Sequence, residues 1–224
     1  MLDIEILRNK MINQYNNYNN LTNEYYNPTY IMIGFSLGSF ILRAHQLRYP
    51  NRANKLIYIV TGNPDINSLK FTKLIIKFIF FKEKESRIIK YMAFDIYNKG
   101  LKENRDKQAA WLIKNDNIRN EYLRDKNVHL KMTPRFFNEF LKCMIYVCNN
   151  EKNNLNLYDD SVLFLSGELD PISDIKSKNF NKMIKIFMEK DMKVEFKVIN
   201  NYYHDILHDE CKQQVYKIIE EFLK

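Results

Sequence analysis

The chain has 224 residues, of which 46% are apolar and 14% aromatic, and it carries a formal net charge of +8. This length and composition exclude an intrinsically disordered protein and fit one domain with a sizeable core and room for an insertion. The lysines are spread through helix-like segments without a dense basic block. The charge therefore predicts a solvated basic surface, with attraction to anionic lipid surfaces or acidic substrates as the alternative, and no nucleic-acid partner.

The N-terminal quarter alternates between helix and strand patterns. Apolar residues recur at helical spacing over 2–18, and a short apolar run at 30–33 predicts a buried strand. A second helix is predicted over 38–48, ending before Pro50, and a second buried strand over 56–60.

The middle of the chain has a different character. From 67 to about 150 the sequence has helical periodicity and no convincing strand, so we predict an inserted helical subdomain. Beyond it we predict a strand at 161–165, a helix at about 175–190, a strand at 193–199 and a closing amphipathic helix at 209–223.

The order of these elements predicts the fold class. Apart from the insertion, helices and strands alternate, which favours an α/β fold with a mostly parallel sheet covered by helices on both faces. We expect a core over 1–64, a helical insertion over 65–155 and a second core segment over 156–224.

The cysteines and the N-terminal stretch indicate in which cellular compartment the protein is expected. The chain has three cysteines, Cys143, Cys148 and Cys211, and this odd number does not suit a disulfide framework. Their spacing does not match that of metal ligands. The N-terminal stretch is typical of a charged amphipathic helix and not of a signal peptide, and no apolar run has membrane-spanning length. We expect a cytoplasmic protein.

The motif "GFSLG" between the first strand and the second helix predicts a nucleophile turn. It places Ser36 between Gly34 and Gly38, with Phe35 and Leu37 beside it. In such a turn the flanking positions are expected to have little room for side chains, and the serine hydroxyl is exposed at the carboxyl end of the strand. The alternative interpretation is an ordinary turn serine without chemistry.

A serine hydroxyl needs a base, and the base needs an orienting acid. Asp170 follows the strand at 161–165 and His204 follows the strand at 193–199, so both are expected at the sheet edge that carries Ser36. The alternatives for these roles are Glu168 and Asp174 as acid and His208 as base, whereas we interpret His45 and His129 as structural.

The stretches "IMIGFSLGSF", "LFLSGELDP" and "YYHDILHDE" together resemble the α/β-hydrolase superfamily, in particular its lysophospholipase and monoacylglycerol-lipase-like branch, also called serine aminopeptidase-type. The resemblance implies Ser36, Asp170 and His204 as catalytic residues and the Leu37 N–H as an oxyanion donor. It also implies a helical cap, in which "LIIKFIFF" would either face an acyl chain or pack as a core helix.

The chain departs from that branch in three places. Phe35 stands where the branch has His, and Tyr203 stands where it has Arg. The strands and the His-Gly loop that usually precede the nucleophile strand are also absent, and that loop supplies a second oxyanion donor. A shortened gene product, a gene split by a frameshift, and a chain that needs a complementing N-terminal fragment are the three explanations.

The resemblance implies a serine hydrolase that cleaves carboxylic esters, with lysophospholipid or monoacylglycerol as substrate and with peripheral membrane contact. The histidine and cysteine spacings match no zinc site and the sequence has no glycine-rich phosphate loop, so we expect neither a metal nor a cofactor. A peptidase is an option that the family label leaves open. The alternative from a different class is a catalytically impaired α/β-hydrolase fragment, or a binding module, that lacks a complete oxyanion hole.

Overall fold

Four parallel strands form the centre of the part of the chain that the structure describes. The structure is a computed structural model, and it describes residues 2–22, 29–79, 89, 91–92, 96–98, 101, 108–128, 133–155, 161–190 and 192–224.

The strands and helices follow one another in a regular order. In that order they are α1 (Leu2–Thr22), β1 (Ile31–Phe35), α2 (Leu37–Arg48), β2 (Lys55–Ile59), α3 (Ile66–Ile79), α4 (Ile96–Asn98), α5 (Asp116–Arg124), α6 (Pro134–Asn154), β3 (Ser161–Gly167), α7 (Lys178–Met188), β4 (Lys193–Ile199) and α8 (Lys212–Leu223).

The sheet has the order β1-β2-β3-β4, and each neighbouring pair is parallel. This confirms the α/β class. Two strands run further than the sequence indicated: β1 continues to Phe35, because Gly34 still pairs with Tyr58, and β3 continues to Gly167, which pairs with Ile199. The carboxyl ends of all four strands therefore lie along one edge of the sheet.

Apolar side chains cover both faces of the sheet, as expected for parallel strands. On one face Tyr58 and Phe164 stack with ring centroids 5.2 Å apart, and α7 packs over them through Phe187. On the other face the strands contact α8. That cluster comprises Ile57, Ile59, Val60, Leu163, Leu165, Ile199, Ile206, Cys211, Val215 and Phe222.

The helical segment between β2 and β3 packs against α2. A third apolar cluster joins Phe40 of α2 to Leu69 of α3 and to Phe137 and Leu141 of α6. Part of the predicted insertion, including residues 80–88 and 102–107, lies outside the described residues. None of the described helices is both long and apolar enough to cross a membrane.

A buried ion pair fastens α2 to α6. The Arg43 guanidinium is fully buried and donates two hydrogen bonds to Glu151, Nε to Oε1 at 2.8 Å and Nη2 to Oε2 at 2.6 Å. Its Nη1 also donates to Thr61 Oγ1 at 3.1 Å and to the Gly62 carbonyl at 2.6 Å. Burial alone would lower the pKa of Arg43, but the Glu151 carboxylate outweighs this effect and the pKa is raised. The arginine is therefore charged, and it connects three separate elements.

We expect Arg43→Met to lower the free energy of unfolding by about 3–5 kcal/mol, because it leaves the Glu151 carboxylate buried without its cation. Urea unfolding followed by circular dichroism measures this loss. The control is Glu139→Gln, which breaks the exposed Glu139–Lys142 pair and is expected to cost less than about 1 kcal/mol. Similar losses in the two variants would contradict the assigned role of the buried pair.

The outer edge of β1 is open among the described residues. The Tyr30 carbonyl accepts a hydrogen bond from the Asn54 N–H, and the Ser36 N–H donates to the Ile59 carbonyl. The backbone groups of the even-numbered residues in β1 therefore point toward β2, and those of the odd-numbered residues point to the outer edge. Ile33 therefore directs its backbone groups to the open edge, and its side chain is 56% exposed. An exposed strand edge of this kind is a template for pairing with another strand.

Amide hydrogen exchange tests this edge. We expect the N–H groups of Ile31 and Ile33 to exchange on the order of 10²-fold faster than those of Met32 and Gly34, because only the latter are held by β2. Residue-resolved exchange by nuclear magnetic resonance gives the rates. Equal protection of all four amides would show that another polypeptide segment covers the edge.

Candidate active site

Ser36 lies at the junction of β1 and α2 in a strained backbone conformation. Its φ and ψ are 51° and −117°, and for a residue with a side chain such a positive φ costs on the order of 1–3 kcal/mol. Although Ser36 occupies the N-cap position of α2, its hydroxyl does not cap the helix. That hydroxyl instead lies 2.7 Å from His204 Nε2.

Close contact between β1 and α2 explains only one of the two flanking glycines. A Cβ at Gly34 would lie 2.7 Å from the Gly38 carbonyl oxygen and 2.8 Å from Ser39 Cα, so a side chain is excluded there. A Cβ at Gly38 would meet nothing within 4 Å. The expectation that both positions lack room is therefore wrong for Gly38, where a Cβ would lie in open space.

Asp170 is held in the loop after β3 by donors from its own turn. Its Oδ1 accepts the Ile172 N–H at 3.0 Å, and its Oδ2 accepts the Ser173 N–H at 3.2 Å and the Ser173 hydroxyl at 2.5 Å. The same Oδ1 lies 2.8 Å from His204 Nδ1. These donors fix the carboxylate in the orientation that the histidine needs.

His204 connects the other two side chains. It lies in the loop after β4, and both ring nitrogens are within hydrogen-bond distance of a partner, Asp170 at Nδ1 and Ser36 at Nε2. With a buried acid on Nδ1, the imidazole can present Nε2 to the serine as a proton acceptor. The structure thus brings together the three residues that the sequence predicted.

Glycines allow the loops at this sheet edge to approach closely. A Cβ at Gly167, the last residue of β3, would lie 2.0 Å from the Tyr203 carbonyl oxygen, next to His204. A Cβ at Gly62 would lie 2.2 Å from the Ile172 carbonyl oxygen in the loop of Asp170. Both glycines therefore set the spacing between the loops that carry the base and the acid.

Aromatic rings surround the histidine. The Phe35 ring lies 5.8 Å from the His204 ring, and the Trp111 ring lies 5.1 Å from it. Tyr97 in turn contacts Trp111 at 5.2 Å. Burial raises the pKa of Tyr97, and the negative charge of Asp170 raises it further, so the phenol is neutral at this site.

The alternative acids do not reach the histidine. Glu168 binds the Asn201 N–H at 3.1 Å and Lys176 Nζ at 3.2 Å, and these contacts, the backbone hydrogen bond first, lower its pKa. Asp174 is exposed, with a φ of 42°. Neither residue makes a hydrogen bond to His204 in the described structure.

The other histidines have separate roles. His208 pairs with Asp205, and its side chain is exposed as expected, but it precedes α8 instead of lying in that helix's first turn. His45 is buried and contacts Glu5 of α1 at 2.8 Å; burial lowers its pKa despite that carboxylate. His129 lies outside the described residues.

The thiols do not compete as nucleophiles. Burial raises the pKa of Cys148 to about 11 and that of Cys211 to about 12, so both are protonated near neutral pH. Cys143 is also shifted upward by burial.

Several residues around the site were not found from sequence. Trp111, Gly62 and Ser173 belong to no motif that spacing alone reveals, and Gly167 lies within "LFLSGELDP" but was given no role there. For Gly62 and Gly167 the sequence did hold a signal, because glycine is scarce in this chain, with five residues in all. Both of them, like Gly34, lie where a Cβ would clash with a neighbouring backbone.

Comparison with known proteins agrees with this geometry. Residues 9–211 match the profile of the family described as serine aminopeptidase, S33, and this range includes Ser36, Asp170 and His204. No curated protein sequence matches the chain significantly.

Solved structures share the fold at low sequence identity. A thermostable carboxyl esterase from Bacillus coagulans, solved with glycerol, has a TM-score of 0.76 at 15% identity over 99% of this chain and 71% of its own. A monoacylglycerol lipase from Paleococcus ferrophilus gives 0.60 at 15%, over 96% and 74%. A monoglyceride lipase from Saccharomyces cerevisiae, solved with a substrate analog, gives 0.63 at 15%, over 98% and 68%. This chain thus spans between 68% and 74% of the length of these three proteins.

An α/β-hydrolase is defined by a parallel sheet that carries a serine turn after one strand and an acid and a histidine after two later strands. The chain belongs to the serine aminopeptidase, S33, family, and the three solved structures named above are an esterase and two lipases.

The two glycines of the turn are expected to respond oppositely to substitution by alanine. Gly34→Ala pushes α2 from β1, so we expect a loss of about 1–3 kcal/mol in stability and a displaced Ser36. Gly38→Ala has open space within a helix, and alanine is a better helix former by about 1 kcal/mol, so we expect unchanged or slightly higher stability. Thermal unfolding of both variants measures the difference, and equal destabilisation would contradict it.

Proposed function

We propose that the chain is a serine hydrolase that cleaves carboxylic esters through an acyl-enzyme. The observation that carries the proposal is the continuous hydrogen-bonded series from Ser36 Oγ to His204 Nε2 at 2.7 Å and from His204 Nδ1 to Asp170 Oδ1 at 2.8 Å. Both distances lie within the range that general-base activation of a nucleophile requires.

In the proposed mechanism Ser36 Oγ attacks the ester carbonyl carbon while its proton moves to His204 Nε2. Asp170 accepts the Nδ1 hydrogen bond and stabilises the imidazolium. The leaving alcohol then takes the proton from Nε2, and the serine remains acylated. A water molecule then gives a proton to the same nitrogen and attacks the acyl carbonyl carbon. In the resulting tetrahedral intermediate the bond between that carbon and Ser36 Oγ breaks, Oγ takes the proton back from Nε2, and the acid is released.

The Leu37 N–H is the proposed donor to the oxyanion. Leu37 is the first residue of α2, and the first N–H groups of a helix have no partner within it. They also lie at the positive end of the helix dipole, which favours a developing negative charge.

We propose lipid esters, of the monoacylglycerol or lysophospholipid class, as substrates. Fold relatives that are a monoacylglycerol lipase and a monoglyceride lipase support this class. The helical segment over 65–155 is proposed as a cap, and its helix α3 exposes Phe71 and Leu74. Exposed apolar side chains on a basic protein favour peripheral contact with an anionic lipid surface.

We also propose that a second polypeptide completes the sheet at β1. The edge position of β1 in the sheet and the exposed side chain of Ile33 support this partner. Such a fragment would add strands to the edge and would bring the second oxyanion donor that the family's His-Gly loop supplies. One such donor is worth about 10²–10³ in rate, so we expect a fragment that supplies it to accelerate ester cleavage by about that factor.

A fluorophosphonate probe tests the proposed function directly. We expect the wild-type chain to be labelled at Ser36, as mapped by mass spectrometry, and Ser36→Ala to be unlabelled. Asp170→Asn keeps the shape of the acid but removes its support of the imidazolium, so we expect the labelling rate to fall by about 10⁴-fold.

Circular dichroism establishes that each variant is folded. A folded wild-type chain without any label would contradict the proposal and would support the impaired-hydrolase or binding-module alternative. A panel of monoacylglycerol, lysophosphatidylcholine, short p-nitrophenyl esters and aminoacyl amides then separates lipase, esterase and peptidase activity.

A further inference from the structure

A segment from the middle of the chain runs directly beside the histidine loop. Residues 108–115, here called the strap, precede α5. Two backbone hydrogen bonds join the strap to that loop: the His204 N–H donates to the Trp111 carbonyl at 3.3 Å, and the Asp205 N–H donates to the Leu112 carbonyl at 2.7 Å. The backbone of the histidine is thus held by a segment remote in sequence.

A buried carboxylate anchors the far end of the strap. Asp209 Oδ2 accepts the Lys114 N–H at 2.6 Å, and Oδ1 accepts the Asn115 N–H at 3.4 Å. The Asn115 side chain also donates to Glu210 at 2.7 Å. Hydrogen bonds from backbone N–H groups to a carboxylate are stronger than neutral ones, and Asp209 is 1% exposed. The anchor therefore joins the strap to the loop that carries the histidine.

The strap also places an indole ring against the imidazole. The Trp111 ring lies 5.1 Å from the His204 ring at an angle of 47°, and Trp111 is only 5% exposed. The ring of Tyr97, in α4, packs against the indole. The backbone N–H of Trp111 donates a hydrogen bond to Asn98 Oδ1 at 3.2 Å. The indole has little room to move away.

We propose that the strap positions the imidazole of His204 through Trp111, and that Asp209 keeps the strap in place. The imidazole must hold Nε2 near Ser36 while Nδ1 stays on Asp170, and a rotation of the ring breaks one of these contacts. An indole packed on the ring limits that rotation. Trp111 is a positioning residue in this account, which rests on the proposed hydrolase function.

Misplacement of a reacting group by about 1 Å can cost on the order of 10²-fold in rate. We therefore expect Trp111→Ala to lower both the labelling rate of Ser36 and kcat for p-nitrophenyl acetate by about 10–100-fold, with little change in KM. Trp111→Phe restores a flat ring and is expected to recover most of the loss. A residue with a purely structural role would change stability without this division between kcat and KM.

Asp209→Asn tests the anchor with the indole still present. Trp111 is the single tryptophan of the chain, so its fluorescence reports on the strap alone. We expect Asp209→Asn to shift the emission to longer wavelength, to increase quenching by acrylamide, and to slow labelling of Ser36. The matched control is Asp125→Asn at the exposed C-terminal end of α5, which is expected to change neither signal. Ser36→Ala is expected to abolish labelling and leave the emission unchanged.

The outcomes separate this inference from the proposed function. If the wild type is labelled and the folded variants Trp111→Ala and Asp209→Asn are labelled at the same rate as the wild type, the positioning role is overturned and the proposed hydrolase function stands. Slower labelling that Trp111→Phe does not recover also overturns it. A folded wild type without label overturns both. If Asp209→Asn does not fold, the comparison of Trp111→Ala with Trp111→Phe decides the question.

Discussion

The buried guanidinium of Arg43 links the parts of the molecule that must stay in register. It binds Glu151 on α6 and the carbonyl of Gly62 after β2, and Gly62 in turn lies against the backbone of Ile172. The Ile172 N–H holds Asp170. A fully buried charge is stable only when its partners are all in place, so the helix behind the nucleophile turn and the loop of the acid cannot move independently.

Much of the site could be predicted because its signals are local. A turn of glycines around Ser36, an acid after one strand and a histidine after the next are each visible within about ten residues of sequence. Parallel strands then bring the three to one sheet edge whatever lies between them. Strand β4 shows the same locality, since its alternating pattern over 193–199 matches its observed bounds.

The remaining features depend on contacts between distant segments and were therefore missed or misjudged. The end of β1 is set by pairing with β2, and the start of α8 at Lys212 is set by the loop before it. Whether Gly38 has room depends on the direction of its Cβ, which no motif records. The contact of Trp111 with His204 joins positions more than ninety residues apart and leaves no periodic signal.

The placement of β3 beside β2 has a consequence for how the chain reaches its native state. Strands β1 and β2 are near neighbours in sequence, whereas roughly a hundred residues separate β2 from β3. Closing that long loop is the most costly step in entropy, and sheets built from distant pairings form slowly. The serine turn can therefore fold early, while the acid and the histidine arrive only after the closure. Until then the edge of β2 that later pairs with β3 is exposed, in addition to the outer edge of β1. The partly formed sheet therefore has two unpaired strand edges at the stage when the protein is most prone to aggregate.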